Sequence, residues 1–165
     1  MPDGSLYKDI PMTTYLAAAI QMTAGTDKRA NLERAERLVR VGAARGANLV
    51  ALPEVYNWRG KRAEQAAAAE TLDGESLSLM ARLARELRVH IVAGSITERG
   101  EDSSRSYNTS VLLGPDGARI AVYRKIHLFD VDLPGRVTVR ESDSKLAGAD
   151  VVCAETPVGA IGLSI

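Results

Sequence analysis

The feature that most constrains the fold is the order of apolar segments in the first part of the chain. Three apolar runs of strand length, at residues 14–22, 48–52 and 89–96, are separated by two segments whose apolar residues have helical spacing. This order is typical of right-handed crossovers, which lay helices against a largely parallel sheet. The sequence therefore predicts an α/β fold.

The two intervening helices can be placed from their ends and their apolar faces. Thr26 or Asp27 can cap the first helix and Gly46 ends it, and the second is predicted over about residues 75–88. The apolar positions are Leu32, Ala35, Leu38, Val39 and Gly42 in the first helix, and Leu77, Met80, Leu83, Ala84 and Leu87 in the second.

From residue 97 onward the pattern changes to strands without helices between them. The segments "YNTSVLLG" and "RIAVYRK", joined by a Pro-Asp-Gly turn, predict an antiparallel hairpin, and "VVCAET", "PVG" and "AIGLSI" predict a second one. Between the hairpins, residues 126–150 are predicted to be irregular. Because this stretch keeps apolar residues and long loops are often functional, we expect it to be ordered and to line a site.

Composition and charge limit the class of protein. The 165 residues, 45% of them hydrophobic and 25% charged, fit one globular domain over residues 14–165 after a loose leader at 1–13, in which Met12 is a possible start. The 21 basic and 21 acidic residues balance, so we expect neither nucleic acid nor a membrane as partner.

Cysteine and histidine usage limits the location of the protein and the kinds of site it can contain. The single Cys153 excludes an internal disulfide, and no pattern of a secretory signal precedes the domain, so a cytoplasmic location is predicted. His90 and His127 lie far apart without clustered cysteines, and no metal site is expected.

In the segment "ALPEVYNWRG", a carboxylate follows an apolar strand directly. Glu54 lies at the carboxyl end of that strand, where α/β sheets bind ligands, and a partly desolvated carboxylate there could act as a general base. The alternative is a structural role, in which Glu54 caps a nearby helix or pairs with Arg59 or Arg62.

Two further charged residues could join Glu54. Lys125 leaves the strand "RIAVYRK" in the same sense and could stabilise an oxyanion, although such a lysine is more often solvated. Glu141 lies in a polar loop and would by itself be assigned to the surface. A nucleophile is missing from this set, because Cys153 lies in mid-strand and is better explained as a small core or edge residue. The residues alone predict a site of unidentified chemistry.

Five segments, taken together, resemble the nitrilase superfamily of carbon-nitrogen hydrolases, and most closely its Nit-type branch of ω-amidases and deaminated-glutathione amidases. They are "LVALPEVYNWRG", "YNTSVLLGPDG", "YRKIHLFDVDLPG", "ESDSKLAG" and "TPVGAIGLSI". The resemblance covers residues 14–165. It implies a four-layer α-β-β-α sandwich, of which this chain supplies the N-terminal part, truncated at its C-terminal side. It also implies subunits that pair across a helix face into homo-oligomers.

The resemblance also implies roles for single residues. Glu54 matches the general base, Lys125 the oxyanion-stabilising lysine and, less closely, Glu141 the second glutamate of the family site. The nucleophilic cysteine would follow Ile165 directly, so the chain as given is expected to lack it and to be inactive. No metal or organic cofactor is implied.

Two classes of function stay open at this point. The first is an amidase that releases ammonia from a small carboxamide, such as an ω-amide of a dicarboxylic acid; hydrolysis of N-carbamoyl compounds or nitriles is an alternative within the enzymes, although "HLFDVDLPG" favours the amidases. The second is a catalytically inactive, truncated remnant that acts at most through protein association.

Overall fold

The computed structural model describes residues 14–101 and 104–165, and the predicted leader at 1–13 lies outside this part of the chain. Its helices and strands follow in the order β1 (Ala17–Ala19), α1 (Lys28–Ala44), β2 (Leu49–Ala51), α2 (Gln65–Ala68), α3 (Glu75–Leu87), β3 (His90–Arg99), β4 (Ser106–Leu113), β5 (Arg119–Arg124), β6 (Asp130–Leu133), β7 (Val137–Arg140), β8 (Val152–Thr156) and β9 (Gly159–Leu163). Short 3-10 turns lie at Arg62–Glu64 and Glu141–Asp143.

The first five strands form one sheet in the order β1-β2-β3-β4-β5. β1, β2 and β3 are parallel to one another, whereas β3, β4 and β5 are antiparallel. The predicted crossovers and the predicted β4–β5 hairpin are therefore confirmed, and the parallel part of the sheet is its first half. Because β2, β3 and β5 run in the same direction, the carboxyl ends of β2 and β5 lie at the same edge of the sheet.

Helices α1 and α3 cover one face of this sheet. Asp27 caps α1, since its side chain accepts a hydrogen bond from the Ala30 N–H at 3.0 Å, and α3 ends at Arg88 in the left-handed region (φ 54°). Burial of apolar surface between helices and sheet is the main stabilising contribution. The core side chains include Leu32, Ala35, Val39, Leu77, Met80, Leu83, Val50, Ile91 and Val111.

The β8–β9 hairpin covers part of the opposite face. Leu163 of β9 packs with Leu112 of β4 and Tyr123 of β5 in a second apolar cluster. The described residues therefore stack as helices, sheet and hairpin, which is the order of the first three layers of the predicted sandwich.

Two predicted segments differ in the structure. The predicted strand at 14–22 is reduced to β1, because it pairs only with β2 at the edge of the sheet and much of it is exposed. The stretch at 126–150 is not irregular throughout. It contains the β6–β7 hairpin, whose turn includes Gly135 at φ +73°, a conformation that suits glycine.

The structure describes no helix long and apolar enough to cross a bilayer within residues 14–101 and 104–165.

A glycine in β3 allows the chain to leave β2 in the required direction. A Cβ on Gly94 would lie 2.0 Å from the Pro53 carbonyl oxygen and 2.6 Å from that of Leu52. The pairing of β3 with β4 is also irregular between Ala93 and Ile96. Only a residue without a side chain permits this close backbone approach. Glu54 is the residue that follows Pro53, so the approach places it at the end of β2.

We predict that Gly94→Ala destabilises the chain by about 2–4 kcal/mol, because the added methyl group overlaps backbone atoms that cannot move aside. Equilibrium unfolding in urea measures the loss. Gly25→Ala is the matched control, since a Cβ there meets nothing within 4 Å, and its effect should stay within about 1 kcal/mol. Equal effects of the two substitutions would contradict this explanation.

Candidate active site

The structure brings Glu54, Lys125 and Glu141 together at the carboxyl ends of β2 and β5. The Lys125 Nζ lies 3.0 Å from Glu141 Oε2 and 3.6 Å from Glu54 Oε1. The side chains of Lys125 and Glu141 are 13% and 18% exposed, whereas that of Glu54 is 50% exposed. One ammonium thus lies between two carboxylates, and Glu54 is the carboxylate that is open to solvent.

The charge of Lys125 follows from these neighbours. Burial opposes the charged form, but the hydrogen bond to Glu141 and the charges of Glu141 and Glu54 outweigh burial and raise the pKa of Lys125. Lys125 is therefore an ammonium at neutral pH. The predicted alternative, in which Glu54 pairs with Arg59 or Arg62, is wrong: Glu54 pairs with Lys125, and Arg62 pairs with Asp143 at 3.2 Å.

Backbone contacts fix the position of Lys125. Its N–H donates to the Asn108 carbonyl oxygen and its own carbonyl oxygen accepts from the Gly148 N–H, each at 2.9 Å. A Cβ on Gly148 would lie 2.2 Å from the Arg124 carbonyl oxygen, so glycine is required there. Next to Lys125, the Arg124 guanidinium donates two hydrogen bonds to the Glu98 carboxylate, at 2.8 and 2.6 Å. The end of β5 is therefore held from both sides.

Glu141 is held by the start of the β6–β7 hairpin. The Phe129 N–H donates to Glu141 Oε2 at 2.7 Å, and the Glu141 N–H donates to the Phe129 carbonyl oxygen at 3.2 Å. These contacts explain why a glutamate that the sequence alone assigns to a surface loop is mostly buried. Glu141 therefore faces Lys125 in a fixed orientation.

The sequence did not single out Asn108, which orients Glu54. Its Nδ2 donates to Glu54 Oε1 at 2.6 Å, and its Oδ1 is buried without a partner among the described residues. The available signal was a single amide in the strand segment "YNTSVLLG", which a strand buried on both faces tolerates only with a hydrogen-bond partner.

Val55, the next residue after Glu54, adopts φ 47° and its N–H donates to Ser95 Oγ at 2.9 Å.

A buried network holds the loop that follows Glu54. Asn57 Nδ2 donates to Glu70 Oε1 at 3.1 Å and to Ser76 Oγ at 3.0 Å, and Lys28 Nζ lies 2.8 Å from Glu70 Oε1. Burial acts to raise the pKa of Glu70, but its bonds to Lys28 and Ser76 outweigh burial and lower it. The loop is thus tied to the start of both long helices.

A second lysine that the sequence did not single out lies behind the site. Lys145 is only 3% exposed, and its Nζ donates to Ser106 Oγ at 3.0 Å and to Thr97 Oγ1 at 3.3 Å. No carboxylate lies within ion-pair distance of it in the described part of the chain. Burial lowers the pKa of Lys145 to about 8, against the opposing charges of Glu141 and Glu54, and Lys125 lowers it further.

The three charged residues open into a cavity of about 600 Å³. Its lining comprises Glu54, Arg59, Gly60, Arg62, Gln65, Lys125, Phe129, Val139, Arg140, Glu141, Ser144 and Lys145. This volume suits a small molecule. A carboxylate that can accept a proton, beside an ammonium that can stabilise an oxyanion, is the arrangement that acyl transfer requires.

A cysteine thiol and a metal centre are not found at this cavity among the residues described. Cys153 is exposed on β8 and does not line the cavity. Within residues 14–101 and 104–165, no group of three or more His, Cys, Asp or Glu side chains is placed to hold a metal ion.

We predict that Lys145 makes stability depend on pH above 8. The folded chain loses this proton near pH 8, whereas the unfolded chain keeps it up to the ordinary value of 10.5, so the unfolded state binds more protons and stability rises between these values. Relative to Lys145→Met, the wild type should gain ~3 kcal/mol of unfolding free energy between pH 7 and 10.5. Urea unfolding at several pH values measures this gain, with Lys61→Met as a control for charge removal at an exposed position. A wild-type-to-variant difference that stays constant with pH would contradict the assignment.

Comparison with known proteins gives one consistent family. Residues 16–165 match the family described as carbon-nitrogen hydrolase. The omega-amidase NIT2 of Mus musculus is 40% identical over 154 residues, which are 93% of this chain and 55% of the mouse protein. The chloroplastic omega-amidase of Arabidopsis thaliana is 36% identical over 160 residues, covering 94% of this chain and 43% of the plant protein.

Similarity to solved structures supports the same family. The NitFhit protein of C. elegans superposes with a TM-score of 0.83 at 30% identity, over 91% of this chain and 37% of that one. Nit3 of Saccharomyces cerevisiae, described as a member of branch 10 of the nitrilase superfamily, gives a TM-score of 0.77 at 26% identity, over 90% of this chain and 54% of that one. The chain spans about half the length of the curated relatives it matches.

The predicted family and fold class are thereby confirmed, and the sandwich-like stacking of helices, sheet and hairpin is the nitrilase-type arrangement. The chain belongs to the carbon-nitrogen hydrolase family, the nitrilase superfamily, and within it to the Nit-type amidase branch.

Proposed function

We propose that Glu54, Lys125 and Glu141 form the proton-transfer and electrostatic part of an amidase site that releases ammonia from a small carboxamide. One observation carries the proposal: Lys125 Nζ lies 3.6 Å from Glu54 and 3.0 Å from Glu141 in a single cavity. The similarity to proteins described as omega-amidases supports an ω-amide as the substrate.

The reaction proceeds through an acyl-enzyme. Glu54 takes the proton from a cysteine thiol, and the thiolate attacks the amide carbonyl carbon. Lys125 stabilises the negative oxygen of the tetrahedral intermediate. The carbon–nitrogen bond breaks, Glu54 returns its proton to the nitrogen, and ammonia leaves. Water then gives a proton to Glu54 and attacks the thioester, the carbon–sulfur bond breaks, and Glu54 returns that proton to the departing sulfur, which frees the carboxylic acid and restores the thiol.

The remaining residues support these steps. Asn108 keeps one oxygen of Glu54 in place, so the other is free to accept the thiol proton. Glu141 keeps Lys125 charged and directed toward the cavity. By resemblance to the family, we place the thiol directly after Ile165. The cytoplasmic location and the homo-oligomeric assembly stay predictions.

A second candidate is a protein without turnover that acts through association with other chains. The observation in its favour is that Cys153, the single cysteine of the sequence, lies on β8 outside the cavity lining. Without a thiol at the cavity, the base and the ammonium have no nucleophile to serve.

We predict that Glu54→Gln and Lys125→Met each lower kcat/KM for carboxamides by about a thousandfold or more in the protein as isolated from its source, because each removes a group that acts in the transition state. Ammonia release from a panel of small carboxamides measures the loss. Glu64→Gln, which neutralises an exposed acid outside the cavity lining, should retain activity. Full activity of Glu54→Gln would contradict the proposal.

The position of the thiol is tested with the 165-residue chain alone. We expect this chain to release no ammonia, while a protein that continues with cysteine after Ile165 does. Turnover by the 165-residue chain, abolished by Cys153→Ala, would contradict the proposed position and assign the chemistry to β8.

A further inference from the structure

We propose that a second cavity, beside the catalytic one, binds a small molecule through an oxyanion group, a carboxylate or a phosphate. The cavity measures about 440 Å³ and is lined by Arg62, Ala63, Gln65, Ala66, Ala69, Arg99, Ser104, Arg105, Ser106 and Ser144. It shares Arg62, Gln65 and Ser144 with the catalytic cavity. This inference goes beyond the proposed amidase function and does not depend on it.

The lining of the second cavity is rich in arginine. Three arginines line this cavity, and none of the described residues in its lining is an aspartate or glutamate. Arg62 has a partner, Asp143 at 3.2 Å, but both side chains are at least half exposed and such pairs are weak. Arg99 donates to a neutral group, the Ala69 carbonyl oxygen at 3.2 Å. Its positive charge is therefore not neutralised by a carboxylate of the described residues.

A buried lysine, Lys145, lies between the two cavities. The side chain of Lys145 lies in this wall: Lys145 lines the catalytic cavity, and the hydroxyl to which its Nζ donates, Ser106 Oγ, lines the second one. Because Ser106 Oγ accepts this hydrogen bond, the hydroxyl proton of Ser106 remains able to donate to a ligand. Lys145 is 3% exposed, so its charge acts through a medium that screens it little.

Two carboxylates and a second ammonium also influence the charge of Lys145. Glu54 and Glu141 favour its charged form, and Lys125 disfavours it. All three belong to the catalytic cavity, where Lys125 is already paired with Glu141. On the side of the second cavity, Lys145 contacts the hydroxyl of Ser106, and Arg62 and Arg99 belong to the lining of that cavity. Lys145 therefore adds a positive charge beside a cavity whose lining already contains arginines.

This chemistry fits an oxyanion. Planar guanidinium groups recognise carboxylate and phosphate oxygens with paired hydrogen bonds, and a serine hydroxyl supplies a further donor. The volume admits a ligand of several heavy atoms rather than a bare ion. Inorganic phosphate and succinate, tested separately, distinguish the two sources of the oxyanion.

The test is a binding titration of the 165-residue chain, without any amide, followed by amide resonances in nitrogen-labelled protein. We expect saturable shifts at Ser106 and Ala69, which line the second cavity and not the catalytic one, with phosphate, succinate or both, and at least a tenfold loss of affinity in the Arg62→Gln/Arg99→Gln double variant. Arg29→Gln/Arg37→Gln removes the same charge from α1, outside the cavity lining, and should leave affinity within about twofold.

The pH dependence adds a second readout. With succinate, whose two carboxylates are ionised throughout this range, affinity should fall between pH 7 and 9, and the fall should be reduced in Lys145→Met. No saturable binding of either anion, or equal loss in the two double variants, would overturn the proposal. Because no amide is turned over, neither result bears on the amidase chemistry.

Discussion

The arrangement of the site depends on the ammonium of Lys125. Glu54 and Glu141 come from distant parts of the chain and would repel each other if placed at one cavity without a cation between them. Lys125 lies 3.0 Å from one carboxylate and 3.6 Å from the other, and its raised pKa keeps the charge that joins them. The same charge would stabilise an oxyanion, so structural and chemical roles rest on one group.

Close backbone approaches at two glycines place Glu54 and Lys125 at the site. Gly94 lets β2 end against β3, so that Glu54 leaves the sheet at the right point, and Gly148 lets the chain pass against Arg124 beside Lys125. Both ends are then held by hydrogen bonds, from Asn108 to Glu54 and between the Lys125 backbone and its neighbours. Such rigid support is what a preorganised site requires, since small displacements of reacting groups are costly.

The sequence predicts the parts of this design that follow from local pattern. The alternation of strand and helix, the caps of α1, and the strand-end positions of Glu54 and Lys125 follow from periodicity and from the geometry of parallel sheets. The role of Glu141 came from the resemblance, because nothing in its polar segment indicates that Phe129 would hold it.

Other features depend on tertiary contacts and could not be predicted. Lys145 stands in a polar segment, and it is buried only because the chain there pairs with Ser106 at the start of β4. The β6–β7 hairpin lies in the stretch at 126–150 that was predicted to be irregular, because the alternating valines of β7 pair with β6 across a turn that contains Gly135. A distant partner thus decides the environment of Lys145, whereas in the hairpin the pairing of neighbouring strands decides the structure.

The most direct measurement of the central claim is to trap the acyl-enzyme. The protein isolated from its source would be quenched in acid during turnover of a carboxamide and mapped by peptide mass spectrometry. The account predicts a thioester on a cysteine directly after Ile165, which disappears in Glu54→Gln. A thioester on Cys153, or turnover with no thioester at all, would contradict it.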